Sequence, residues 1–152
     1  MLKKIFAAIL ILSVFMIQPT AMAAYPKYLN GDRNYIMFDG HMGGARYLIR
    51  NSRNVEGEDP PAYIISVDWV VVPNADRGST KISQRYHTVF GYNTNTRQAF
   101  TISNDGKFNQ LNPNASRAEG SALVAAAEIT FYLASDGVKF FGIFPDSFYP
   151  DL

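Results

Sequence analysis

The segment at residues 63–72, YIISVDWVVV, constrains the fold of this chain more than any other. Its odd-numbered positions are uniformly apolar, whereas its even-numbered positions mix apolar side chains with Ser66 and Asp68. Side chains of a β-strand point alternately to its two faces, so this alternation predicts a strand with one buried face. Trp69 lies on the apolar face, and we expect it to contact the core.

Shorter strands are predicted around this segment. Residues 82–92 form the next strand, with Tyr86 and Phe90 on one face and Arg85 and His87 on the other. Further strands are expected at residues 35–38, 45–50, 97–103 and 108–111. Residues 51–61 (NSRNVEGEDPP) are predicted to be a loop. Because connections this short join only antiparallel neighbours, we expect an antiparallel meander of five or six strands.

A helix is predicted near the C-terminus. Ser116 and Glu119 have the spacing of a capping box, and Ala122, Ala125, Ala126, Ile129, Tyr132 and Leu133 form an apolar stripe. The helix could also begin nearer Ala125, and residues 129–133 could instead form a strand because they are β-branched and aromatic. The predicted fold class is therefore α+β, an antiparallel β-meander sheet with one C-terminal helix packed on its Trp69 face.

The N-terminal residues 1–23 are predicted to be a signal peptide. Lys3 and Lys4 precede an apolar run at residues 5–17, and the small residues at 21–23 form an A-x-A site, so cleavage is expected after Ala23. Residues 24–152 would then form a single secreted or periplasmic α+β domain without a transmembrane segment. Loss of the two lysines changes the formal charge from +1 to −1, which argues against a nucleic-acid partner.

The sequence DGHMGGARYLIR places one of only two histidines, His41, between glycines. The glycine spacing matches neither a phosphate-binding loop nor a dinucleotide fingerprint, so we predict a structural turn, with ligand contact by His41 as the alternative. The chain contains no cysteine. With two histidines and no thiol, the sequence predicts no metal site and no cofactor.

No catalytic residues are predicted. A G-x-S-x-G nucleophile motif is absent, and the helix glutamates Glu119 and Glu128 are expected to have structural roles. A small secreted hydrolase that uses carboxylates stays open as an alternative. Such an enzyme would need a concave pocket with converging acids.

Four residues form the predicted interaction surface. If Trp69 and Tyr86 share a core, Asp68 must lie opposite Arg85 or His87, or diagonally near both, on the other face of the sheet. This arrangement is either a surface ion pair or a polar recognition patch. Phe131 lies on the helix side away from the stripe, where the aromatic tail around Phe140 or a partner surface would cover it.

The order of several motifs resembles an uncharacterised family of short secreted bacterial proteins that often occur as paralogues. The motifs are DGHMG, PPAYIISVDWVVV, FGYNTNTRQAF, LNPNASRAEG and AAEITFYLASDGVKFFG, which together span residues 39–142. A looser resemblance links the strand, the "Y…TR" hairpin and the late "L-N-P" segment to surface-adhesin E proteins. The resemblance implies export but no chemistry.

We therefore expect a non-enzymatic extracytoplasmic binding or surface-interaction module with a protein or cell-envelope partner. An inhibitor or accessory protein of a secreted enzyme is the further alternative.

Overall fold

One antiparallel sheet and one α-helix organise the residues that the computed structural model describes, 25–116 and 120–152. The strands are β1 (Tyr35–His41), β2 (Gly44–Ile49), β3 (Asn54–Asp59), β4 (Ala62–Val72), β5 (Gln84–Asn93), β6 (Gln98–Ile102) and β7 (Phe108–Gln110). The helix, α1, spans Ser121–Ala134. The α+β prediction is confirmed. The predicted signal peptide at residues 1–23 and the capping role of Glu119 lie outside the described residues.

The central strand of the sheet is β4. Its eleven residues pair on one side with β3 along the first half and with β2 along the second half, and β5 pairs along the other side. The strand order is β1-β2-β4-β5-β6-β7, and every neighbouring pair is antiparallel. The sheet is open, so it has edges at which strands lack a neighbour.

The prediction of a loop at residues 51–61 is wrong. Most of this segment is strand β3, which a turn at Pro60 and Pro61 joins to β4. Five of the six β3 residues are exposed. An edge strand with solvent on both faces carries no apolar alternation, and this explains why its pattern resembles a loop. The described residues therefore contain seven strands and not five or six.

The core beneath α1 includes the apolar face of β4. Ile65 and Val67 are buried there with Ile129, and the partly buried Trp69 packs against the same cluster. The helix thus packs on the Trp69 face, as the sequence predicts.

The opposite face of β4 is not uniformly polar. Val70 and Val72 are buried in a second apolar cluster with Tyr47 of β2. Leu29 in the N-terminal segment and Ala75 in the connection after β4 cover this end of the sheet. The predicted single buried face of β4 therefore applies to only part of the strand, because distant segments fold over the rest.

Residues 129–133 are helical, so the alternative of a strand there is wrong, as is a start near Ala125. The helix begins after Gly120, whose φ of 99° is accessible to glycine. Phe131 is only 4% exposed, and its ring centroid lies 4.9 Å from that of Phe140 in the tail. Phe131 is therefore covered by the aromatic tail and does not belong to an exposed partner surface.

A buried carboxylate attaches this tail to the helix. Glu128 of α1 is fully buried and accepts hydrogen bonds from the backbone N–H of Phe141 (2.5 Å) and Gly142 (3.2 Å) and from the hydroxyl of Tyr149 (2.8 Å). Burial, together with the hydrogen bond to the Glu128 carboxylate, raises the pKa of Tyr149. Three donors replace the water that the carboxylate loses on burial.

Candidate functional site

The glycine-flanked histidine lies at a hairpin turn, as the sequence predicts. His41 is the last residue of β1, and Met42 and Gly43 connect it to β2 with φ values of 48° and 83°. Two successive positive φ angles are typical of the tight turns that join antiparallel strands. His41 also lines an open cavity of about 370 Å³ with Asp39 and Arg46, so its contact with a ligand stays a prediction.

The polar residues predicted on the other side of the sheet do lie together. Asp68 and His87 are directly opposite across β4 and β5, and Arg85 is on the diagonal. His87 Nδ1 lies 2.7 Å from Asp68 Oδ1, whereas Arg85 donates from Nε (3.1 Å) and Nη2 (2.6 Å) to Oδ2. The predicted shared face is confirmed, and of the pairings that the sequence left open the structure has His87 opposite Asp68. We call these three residues the Asp68 cluster.

Hydrogen bonds and ion pairing hold the side chains of the Asp68 cluster together, but the cluster is accessible to solvent. Partial burial acts to raise the pKa of Asp68, but the hydrogen bonds from His87 and Arg85 and the charge of Arg85 outweigh it and lower the pKa. The side chains of Arg85 and His87 are 61% and 59% exposed. Their outward surfaces are therefore available for contact.

The pairing of Asp68 with His87 resembles the orienting half of a hydrolase triad. Among residues 25–116 and 120–152, no serine or threonine hydroxyl is hydrogen-bonded to His87. The same residues contain no group of three or more histidine, aspartate or glutamate side chains placed to hold a metal ion. A separate cavity of about 410 Å³ is lined by two carboxylates, those of Glu58 and Asp136.

Aromatic stacking orders the side chains on the other face of the same two strands, β4 and β5. The Tyr86 ring stacks on Trp69 with centroids 4.3 Å apart, and Trp69 Nε1 donates to Thr88 Oγ1 at 2.9 Å. The Tyr86 hydroxyl donates to Gln84 Oε1 at 2.7 Å. The first half of β5 therefore has ordered side chains on both of its faces in the unbound protein.

The first half of β5 also has a free edge. β6 pairs with β5 only from Val89 to Asn93, so residues 84–88 extend beyond it. We call residues 84–88 the β5 overhang. In the described part of the chain no strand pairs with its outer edge. Sequence reasoning missed this edge because strand length alone does not reveal where the neighbouring strand ends.

Of the four predicted surface residues, Arg85 and His87 belong to the overhang and Asp68 lies beside it, whereas Phe131 is buried in the core.

Comparisons with protein-family models, with curated proteins and with solved structures find no match to this chain. In the ranges 25–116 and 120–152, none of the helices has the length and apolar character needed to cross a membrane.

Proposed function

We propose that this protein is an exported, non-enzymatic interaction module that binds an extended, acidic segment of a protein partner along the β5 overhang. The observation that carries the proposal is the free edge of β5 beside the Asp68 cluster. A partner strand added there would continue the sheet, with main-chain hydrogen bonds for affinity and side-chain contacts for specificity.

The exposure of this edge supports the proposal. An uncovered edge strand promotes unwanted association, and proteins usually block such edges with short strands, bulges or covering segments. The overhang has five residues, and its own Tyr86 is already ordered by stacking on the neighbouring Trp69. Pre-ordered groups lose little conformational entropy on binding.

The local charge favours an acidic partner segment. Residues 77–87 include Arg77, Lys81 and Arg85 but no aspartate or glutamate. Among the described residues, only Arg85 of these three cations has a carboxylate partner, which is Asp68. An acidic strand would approach this side favourably, and this attraction would weaken as salt is added.

Two sequence features support an extracytoplasmic setting. The first is the signal peptide predicted at residues 1–23, and the second is the resemblance to short secreted bacterial proteins. The partner would accordingly be a protein of the cell envelope or the surrounding medium.

The test measures amide hydrogen exchange of the purified protein with a synthetic strand peptide of alternating valine and glutamate. We expect slower exchange at residues 84–88, and weaker protection with the same peptide carrying glutamine for glutamate. Lys81→Glu should weaken binding about fivefold, the change that roughly 1 kcal/mol produces. Arg97→Glu, the same charge change at the β5–β6 turn and thus at the other end of β5, should leave binding unchanged.

Unchanged exchange at residues 84–88 at saturating peptide would contradict the proposal. Equal binding of the glutamate and glutamine peptides would contradict the acidic specificity.

A further inference from the structure

Another free edge of the sheet, that of β3, is acidic. β3 pairs only with β4, and among the described residues no strand lies on its outer side. Its sequence NVEGED carries Glu56, Glu58 and Asp59 and no lysine or arginine. All three acidic residues are exposed. The edge formed by β3 therefore has the opposite charge to the β5 overhang.

The two edges have complementary positions. β3 lies beside residues 62–66 of β4, whereas the overhang lies on the other side of β4 beside residues 67–71. Both strands run antiparallel to β4, so they run parallel to each other. β3 has six residues and the overhang has five, so their lengths are similar.

A second copy in the same orientation could bring these edges together. It would be displaced sideways across the sheet and shifted along the strands by about five residues, or roughly 17 Å. With this shift, β6 and β7 of the first copy lie beyond the C-terminal end of the incoming β3 along the strand direction. β1 and β2 of the second copy lie beyond the N-terminal end of the overhang. The strands of the two copies then occupy different positions along the strand direction, and the β6–β7 turn of the first copy adjoins the C-terminal end of the incoming β3.

We propose that the acidic segment bound by the β5 overhang is β3 of a second copy of this chain, so that copies associate head to tail into a continuous sheet. This inference rests on the proposed function and names its partner. Symmetric pairing of two overhangs would bring Arg85 near its own counterpart, and pairing of two β3 edges would oppose glutamates. A head-to-tail contact related by translation does not close on itself, so the assembly grows.

The test is sedimentation velocity of the purified protein over a range of concentrations and salt. We expect the weight-average mass to rise with concentration to more than twice the monomer mass, and to fall again at high salt because screening weakens the contact.

Two charge-reversed variants test whether these two edges form the contact. Glu56→Lys/Glu58→Lys reverses the β3 edge, and Lys81→Glu/Gln84→Glu reverses the overhang while keeping an acceptor for the Tyr86 hydroxyl. Each variant, shown to be folded by its circular dichroism spectrum and melting curve, should be monomeric alone. An equimolar mixture should regain assembly beyond the dimer, because the native overhang of one variant meets the native β3 edge of the other, and the two reversed edges again carry opposite charges. Arg97→Glu, at the β5–β6 turn on the far end of β5, is the control and should assemble normally.

If the protein stays monomeric at concentrations up to about 1 mM, which is the weakest dissociation constant of interest, the inference is overturned. Association that both reversed variants leave intact overturns it as well. If the protein is monomeric but the glutamate peptide still protects residues 84–88, self-association fails and the proposed function stands. If neither occurs, both fail.

Discussion

The hydroxyl of Tyr149 lies 2.8 Å from Oε1 of Glu128, which connects the end of the chain to the middle of α1. The same carboxylate accepts two backbone N–H groups from the start of the tail. A buried charge with several hydrogen-bond donors costs much more to disturb than an exposed one. The tail therefore covers Phe131 because Glu128 holds it at two points.

Replacing this carboxylate should loosen the tail. Glu128→Gln removes one acceptor oxygen, and we expect the free energy of unfolding to fall by about 2 kcal/mol. Tyr149→Phe should cost about 1 kcal/mol because it removes the hydrogen bond to Glu128 and the longer one (3.4 Å) that the hydroxyl accepts from the Phe144 N–H. Urea denaturation measures both, with the exposed Glu58→Gln as the matched control. Equal stability of Glu128→Gln and Glu58→Gln would contradict the anchoring role.

The protein should lose stability above about pH 10, the ordinary tyrosine pKa. Burial raises the pKa of Tyr92, as does the nearby charge of Glu128, and the pKa of Tyr149 is also raised. A raised folded-state pKa stabilises the fold below the unfolded-state pKa, and this stability declines as the pH rises towards the folded-state value. Absorbance at 295 nm should show these tyrosines ionising only as the protein unfolds. Tyr149→Phe should reduce that late phase, and an unchanged titration curve would argue against the prediction.

The Asp68 cluster should contribute stability that acid removes. The lowered pKa of Asp68 means that its contribution is present above its unfolded-state pKa of 3.8 and declines as the pH falls through the lower folded-state value. We expect Asp68→Asn to cost about 0.5 to 1 kcal/mol at pH 7, because Arg85 and His87 are largely exposed. The cost should shrink below about pH 4. Urea denaturation from pH 2 to 7 tests this, with Asp59→Asn as the control; a cost independent of pH would exclude the ion pair as its source.

The hairpin turn after His41 should require glycine at one position only. Gly43 has a φ of 83°, and a Cβ there would lie 3.3 Å from Asp76 Oδ1. We expect Gly43→Ala to cost about 1 kcal/mol of unfolding free energy. Gly44→Ala, at the next residue, meets only ordinary contacts and should change stability by less than about 0.5 kcal/mol. Thermal denaturation of the two variants compares them directly, and equal losses would contradict the turn assignment.

Much of the fold follows from local patterns. The alternation in residues 63–72 predicts β4, and its parity, with a core shared by Trp69 and Tyr86, places Asp68 on one face with Arg85 and His87; the structure selects His87 as the residue directly opposite. The glycines around His41 predict the turn between β1 and β2. These predictions hold because a strand's alternation and a turn's φ angles depend on a few neighbouring residues.

Other features depend on segments far apart in the chain, and no local pattern predicts them. β3 is a strand only because β4 supplies its hydrogen-bond partners, although its own residues resemble a loop. Val70 and Val72 are buried because Leu29 and Ala75 cover them. The helical pattern allows Phe131 to lie either beneath the tail or at a partner surface, and the tail occupies the site.

The sequence by itself determined the strand β4, the turn after His41 and the face that Asp68 shares with Arg85 and His87, because each is set by local periodicity or turn residues. Only the tertiary structure decided that β5 extends beyond the end of β6, that β3 forms an acidic edge and that Glu128 accepts the hydrogen bonds that anchor the tail. The length over which two strands pair and the burial of a side chain depend on contacts between segments that are distant in the sequence. These contacts depend on the packing of the whole chain.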